Sequence, residues 1–360
     1  MSDLYIGIMS GTSMDGVDVA LCEIDDRSCN LVHFAEYPFP KNLKTELLEL
    51  INGVTTLREI GVLHSKLGHL FADKVLEFFS TYKINPLDVK AVGLHGQTLW
   101  HEPNAPFPFS TQLGCANVLV AKSRVRTVSD FRNMDIAKGG QGAPFAPAFH
   151  KFLFSNLGKN LAVLNIGGMA NITILGDLLE GWDTGCGNVL LDMWIKQTQD
   201  KAYDKDGDFA RSGRVDETLL AKMLDDEYFK KTAPKSTGRE YFNQNWLANF
   251  LPLFNTFKDE DIQRTLLELT AKSVANDLKN RNITTLIVCG GGAKNIFLME
   301  RLQELCDCNV TQSEDFGVRS EALEAMAFAW FAYKRVKNEV VQLSSVTGAR
   351  ENSILGAIYG

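Results

Sequence analysis

The sequence predicts an α/β fold made of two duplicated halves, on three observations. The chain opens with an apolar run, Leu4 to Met9, then the small polar turn Ser10-Gly11-Thr12-Ser13-Met14-Asp15-Gly16. After it Val17, Val19 and Leu21 alternate with Asp18, Ala20 and Cys22. Alternation on both sides of a glycine-containing turn marks a β-hairpin. The pattern recurs at mid-chain, with Leu161 to Ile166, the turn Gly167-Gly168-Met169-Ala170-Asn171, and Ile172 to Leu175. Finally, 360 residues exceed the roughly 250–300 at which one hydrophobic core stops growing, so two domains with a cleft between them are expected.

The remaining elements follow each hairpin in a similar order. Helical spacing of apolar residues covers Lys44 to Ile51 and Leu57 to Tyr82 in the first half, and Val189 to Gln197 and Val215 to Leu224 in the second. Short apolar strands, Ala91 to Leu94 and Thr127 to Ser129, complete the first half. Leu286 to Cys289 and Asn309 to Thr311, separated by a helical pattern from Asn295 to Leu305, complete the second. Strands alternating with helices give an α/β sheet in each half. The glycine-rich run Lys138 to Pro144 is the expected boundary and hinge. It divides the chain into 1–137, with a C-terminal segment of about 341–360, and 138–340. A last helix, Ser320 to Lys337, ends in the basic turn Lys334-Arg335-Val336-Lys337, which suits the helix dipole.

Composition narrows the function. The net charge of −7, from 37 basic and 44 acidic residues, disfavours nucleic acid and anionic membrane as partners, because both need a basic field. The opening MSDLYIGIMSG has no basic segment and no apolar run of signal-peptide length, so a cytoplasmic protein without a membrane span is expected. Seven cysteines without a C-x-x-C pair point to free thiols rather than a disulfide framework or a zinc site.

No G-x-x-x-x-G-K-[ST] run and no protein-kinase signature is present. A hairpin tip of glycines and hydroxyls offers another route to a nucleotide. Small residues let phosphate oxygens approach backbone N–H groups, and an aspartate can hold magnesium or its waters. Ser10 to Asp15 fits, and so does Gly290-Gly291-Gly292-Ala293-Lys294-Asn295 between a strand and a helix. One such turn is what any loop wants, but two related hairpins followed by a strand–GGG–helix unit is the order of the ATP site shared by actin, hexokinase and the heat-shock chaperones.

The segment Met9 to Asp18 resembles the opening signature of the anhydro-N-acetylmuramic acid kinases. His95-Gly96-Gln97-Thr98, Asp130-Phe131-Arg132, Gly139 to Pro144, Asn165-Ile166-Gly167-Gly168, Asp183-Thr184-Gly185, Pro234 to Glu240 and Gly290 to Gly292 are similar to further blocks of that family, in the same order. The resemblance implies two ribonuclease H-like domains of the actin-like ATPase fold, with the active site in the interdomain cleft. It implies an ATP- and Mg2+-dependent kinase that opens 1,6-anhydro-N-acetylmuramic acid with water and phosphorylates O6, in the recycling of peptidoglycan. The sugar and ATP are the expected partners, with a homodimer as the expected assembly. Another sugar kinase, or a phosphatase or ATPase on the same fold, is the alternative. A nucleotide-driven binding module of the actin kind is disfavoured by the sugar-type loops.

By the same resemblance Gly11, Thr12, Ser13, Met14, Asp15, Gly16, Val17 and Asp18 embrace the ATP phosphates, with Asp15 near the metal. Gly167 and Gly168 meet the phosphates, Gly290, Gly291 and Gly292 lie by the adenosine, and Asp183 is the catalytic base. Without the resemblance Asp183 reads as a helix N-cap or a turn residue. Gln97, Thr98, Asp130 and Arg132 are candidate sugar contacts, Arg132 for the lactyl carboxylate or as a partner of Asp130 or Asp135. His95 reads as a satisfied inner residue or a donor to the sugar, Glu324 as part of an exposed helix face or a residue facing the cleft, and Lys235 to Arg239 as a polar, anion-binding loop without an assigned role. Cys186, where the family has proline, is expected to be an accessible thiol that loosens the Asp183 loop.

Overall fold

The computed structural model describes residues 2–11, 14–250 and 257–360. Thr12 and Ser13 of the first hairpin lie outside the described residues. The chain divides into two compact units, Met1–Leu153 with Ala322–Gly360, and Phe154–Glu321.

The first unit holds strands β1 (Asp3–Met9), β2 (Gly16–Ile24), β3 (Cys29–Pro38), β4 (Val89–Leu94), the separate hairpin β5 (Gln97–Glu102) and β6 (Phe109–Leu113), and β7 (Thr127–Ser129). The second holds β8 (Leu161–Ile166), β9 (Met169–Leu175), β10 (Leu179–Cys186), β11 (Thr285–Cys289) and β12 (Asn309–Gln312), and β13 (Ala357–Tyr359) returns to the first. The first sheet runs β13-β7-β4-β1-β2-β3 and the second β10-β9-β8-β11-β12. In each, the first strand pairs antiparallel with the second and parallel with the fourth. The same order in both units is the duplicated ribonuclease H-like arrangement, and the two hairpins are its first two strands.

Residues of β1 alternate between two helices, as the period of 2 requires. Ile6 and Ile8 join a core with Leu67, Phe71, Val75 and Phe78 of the helix Leu57–Tyr82. That helix starts in a capping box between Thr56 and Glu59. Gly7 points the other way, where an added Cβ would lie 1.7 Å from the Ala325 carbonyl oxygen of the helix Leu323–Val336. Tyr5, also on that side, packs edge-on against Tyr333. This contact places the helix expected over 320–337 with the first unit, so the division at 321/322 replaces the one expected at 340/341.

The glycine-rich run is likewise no boundary, since the first unit continues to Leu153. Buried Asp135 pins it. Its Oδ2 accepts the Gly142 N–H at 2.8 Å and its Oδ1 the Thr347 hydroxyl at 2.8 Å. Gln141 N–H donates to the Thr347 carbonyl at 2.9 Å. A run held at both ends by the C-terminal segment lacks the freedom a hinge needs.

In the second unit the helices Val189–Gln199 and Asp259–Leu278 supply Leu190, Leu191, Trp194, Leu266, Leu267 and Val274 to a core with Leu164, Ile166, Ile172 and Val288 of the sheet. Among the described residues no helix is long and apolar enough to cross a membrane.

Candidate active site

Asp183 stands in β10, not at a helix cap or a turn, opposite Asn171 of β9 at a bulge that falls before Gly185. A bulge re-aims a side chain out of the ladder. The loop 235–237 fixes the carboxylate. Its Oδ2 accepts the Thr237 N–H at 2.9 Å and the Ser236 hydroxyl at 3.2 Å. The Asp183 N–H donates to the Lys235 carbonyl at 3.0 Å, and the Asp183 carbonyl accepts the Tyr228 hydroxyl at 2.7 Å. Among the described residues nothing donates to Oδ1. Burial pushes the Asp183 pKa up against the two donors that pull it down, and Glu240 adds to the rise.

Lys235 itself is not an anion ligand. Its ammonium is buried in a 3.0 Å ion pair with Asp277, whose other oxygen accepts the Trp182 indole N–H at 2.9 Å. Cys186 is buried in the core beside the Thr270 hydroxyl, and burial pushes its thiol up to about 12. The expectation of an accessible thiol and a loosened loop is thus corrected. A side chain that size fills the end of β10, and the strand keeps its pairing through Cys186.

Gly167 and Gly168 form the half-exposed tip between β8 and β9. Their carbonyls are occupied: Gly167 accepts from Asn188 N–H at 2.8 Å, and Gly168 from Gly187 N–H at 2.9 Å and Val189 N–H at 3.1 Å. The Gly168 N–H donates to no backbone carbonyl among the described residues, which leaves a donor for an anion. Gly290 to Gly292 pack beside this tip. A Cβ at Gly290, whose φ is +80°, would meet the Ile166 carbonyl oxygen at 2.7 Å, and one at Gly292 the Ile166 side chain at 2.3 Å. Those two glycines serve close packing, whereas Gly291 is exposed with only the Asn188 amide within 4 Å of an added Cβ.

In the first unit the hairpin tip is closed by Met14 N–H to the Gly11 carbonyl at 3.1 Å and the Ser10 hydroxyl to the Gly16 carbonyl at 3.1 Å. Met14 and Val17 point into the core. Asp15 is exposed and pairs with Lys44 at 3.0 Å. Asp18 is the more perturbed acid. Burial, the cross-strand Glu36 and then Glu324 push it up to about 7. A carboxylate crowded by two others is a site that a divalent cation would relieve. No group of three metal-ligating side chains occurs among the described residues. One or two carboxylates suit Mg2+, which keeps waters and takes its other ligands from phosphates. The donor set at this hairpin therefore fits Mg2+-ATP, with Asp18 beside Asp15.

The expected sugar residues each take different partners within the first unit. Arg132 donates through Nε and Nη2 to His95 Nε2 at 3.2 and 3.0 Å and through Nη1 to the Gly142 carbonyl at 3.1 Å. It pairs with neither Asp130 nor Asp135. His95 is buried, and burial followed by the Arg132 charge lowers its pKa to about 3, so it stays neutral and holds the guanidinium. Gln97 is buried and donates to the Gly11 carbonyl at 3.3 Å, which ties β5 to the first hairpin. Thr98 accepts from Gln112 at 3.4 Å, and exposed Asp130 accepts from Asn133 at 2.7 Å. Glu324 keeps some accessible surface, but it faces Asp18 and Arg132 rather than an outer helix face: burial pushes its carboxyl up, and its charge acts on both of those groups.

Sequence reasoning missed the roles of Ser236, Thr237 and Tyr228 around Asp183, and of Glu36 beside Asp18. The block Pro234 to Glu240 was the available signal.

Residues 3–360 match the family described as anhydro-N-acetylmuramic acid kinase. An anhydro-N-acetylmuramic acid kinase of Sulfurimonas denitrificans is 53% identical over 367 residues, covering 100% of both chains. One of Sulfurovum sp. is 54% identical over 358 residues, covering 99% of this chain and 98% of the other. One of Vibrio vulnificus is 45% identical over 364 residues, covering 99% and 98%. Matched from end to end at such identity, with its duplicated sheets and glycine loops in family order, the chain belongs to the anhydro-N-acetylmuramic acid kinase family.

Proposed function

We propose that this kinase uses ATP and water to convert 1,6-anhydro-N-acetylmuramic acid into N-acetylmuramic acid 6-phosphate and ADP, a step of cell-wall recycling, with Asp183 as general base. The carboxylate geometry carries the assignment of the base: Oδ2 is fixed by Thr237 and Ser236 while Oδ1 takes no hydrogen bond from the described residues. A raised pKa brings the group closer to working pH, where a base accepts a proton most effectively.

Asp183 takes a proton from the water that attacks the anomeric carbon. The bond from that carbon to O6 breaks, and O6 attacks the γ-phosphorus as the bond to the ADP oxygen breaks. Mg2+, when bound with ATP, neutralises phosphate charge. Asp15 and Asp18 would hold it or its waters, and Gly11 to Asp18, Gly167, Gly168 and Gly290 to Gly292 are assigned to the nucleotide. Arg132, with donors left beyond those used on His95 and Gly142, is assigned to the lactyl carboxylate, with Gln97, Thr98 and Asp130 as further polar groups assigned to the sugar. Asp183→Asn keeps shape but cannot accept the proton. It is expected to bind both substrates and lose roughly 10²–10⁴-fold in kcat. In oxygen-18 water the label should enter the anomeric hydroxyl; label chiefly in released phosphate would instead identify a phosphatase.

A further inference from the structure

The loop that orients Asp183 carries a second charged group that the reading above leaves unused. Arg239 is exposed and makes no ion pair or hydrogen bond among the described residues. Its guanidinium lies over the second hairpin, with Nη2 and Nε 3.4 and 3.5 Å from the point a Cβ on Gly168 would occupy. The glycine is what admits it, because a larger residue would fill that space. The other cation of the loop, Lys235, is already neutralised by Asp277. Arg239 is near enough to Asp192 to oppose the rise that burial imposes on that carboxyl, which stands at about 6. A guanidinium and the Gly168 N–H, which has no backbone acceptor among the described residues, thus meet at one hairpin tip. Two residues upstream, the Thr237 N–H holds the base.

We propose that Arg239 binds the phosphoryl group in transfer and stabilises the charge on its equatorial oxygens. The proposal rests on the kinase reading. Phosphoryl transfer asks little covalent chemistry of the protein and much charge stabilisation, and a planar fork of donors matches two phosphate oxygens. Arg239 moves no proton. The O6–P bond forms, the bond from phosphorus to the ADP oxygen breaks, and ADP leaves with the electron pair. A single loop then couples the two halves of the reaction, placing the base through Ser236 and Thr237 and the phosphoryl cation through Arg239.

The test compares wild type with Arg239→Ala, Arg239→Gln and Arg239→Lys in the full chain, with the glutamine variant serving should alanine fold poorly. Loss of a transition-state charge is expected to lower kcat by about 10²–10³-fold, with the sugar KM little changed. Tight binding of ADP with aluminium fluoride should weaken while binding of ADP alone persists, a split that a merely structural arginine would not give. Added guanidinium should restore part of the alanine variant's rate. An active wild type whose alanine and glutamine variants keep kcat and aluminium fluoride binding would overturn the proposal. An inactive wild type would sink the kinase reading itself, and this proposal with it.

Discussion

The backbone N–H of Thr237 and Oδ2 of Asp183 meet at 2.9 Å across 54 residues of chain. This bond and the one from Ser236 favour the ionised carboxylate, while burial opposes it with the larger effect. With Asp183 as the proposed general base, its ionised form does the work, so the acid limb of the rate profile is expected above the ordinary aspartate range of about 3.9. Ser236→Ala removes a donor to the charged form and should shift that limb to higher pH, leaving the rate at high pH less affected. A limb that stays put in a pH profile of kcat/KM would show that Asp183 does not govern it.

Asp18 carries a linkage consequence of the opposite kind to a salt-bridged carboxylate. Its folded pKa of about 7 lies above the unfolded value of about 3.9, so the folded chain binds the extra proton between the two. Stability from this group is full below pH ~4 and is lost as pH rises through 7. Asp18→Asn should therefore gain on wild type as pH rises from 4 to 7, by about 2–4 kcal/mol, and then level off. Urea unfolding of both proteins at several pH values, without nucleotide or metal, measures the difference. Magnesium with ATP should shrink it.

Cys186 should resist alkylation in the native protein, because only the thiolate reacts and burial both hides the group and raises its pKa to about 12. The half-buried Cys115 and Cys308 should react first, and hydrogen bonding from Cys306 lowers the Cys308 pKa further in favour of reaction. Mass spectrometry of partly labelled protein gives the order. Rapid native labelling of Cys186 would contradict its place in the core.

Asp135 is expected to matter for stability rather than chemistry. Asp135→Ala leaves the Gly142 N–H and the Thr347 hydroxyl without their acceptor, at a cost of about 1–3 kcal/mol for each buried group left unpaired. Gly140→Ala should damage the same place, since its Cβ would lie 2.2 Å from Asp135 Oδ2. Thermal unfolding of both variants checks this, and an unchanged midpoint would mean the run Lys138 to Pro144 is not pinned as described.

The sequence by itself determined the duplicated hairpins, the strand–GGG–helix unit, the helix Leu57–Tyr82 and the family. These signals are local: alternation, turn chemistry and helical spacing are written within a few residues of one another. Tertiary structure decided what depends on distant partners. The helix Asp259–Leu278 escaped sequence reading because it buries residues on nearly every side, from Ile262 and Gln263 to Thr270 and Val274, and so shows no clean apolar stripe. The helix Leu323–Val336 looked like an ordinary amphipathic element, and its packing decides its unit: Gly7 and Gly93, whose missing side chains admit its backbone, together with the Tyr5–Tyr333 contact, assign it to the first. The run Lys138 to Pro144 has the composition of a hinge, but a hydrogen bond from a threonine 212 residues beyond Asp135 fixes the carboxylate that makes it rigid. Asp183 was legible as a residue from its motif. Its state was not, because the pKa of a carboxyl is set by burial and by donors from Ser236 and Thr237 that adjoin it only once β10 and the loop have packed together.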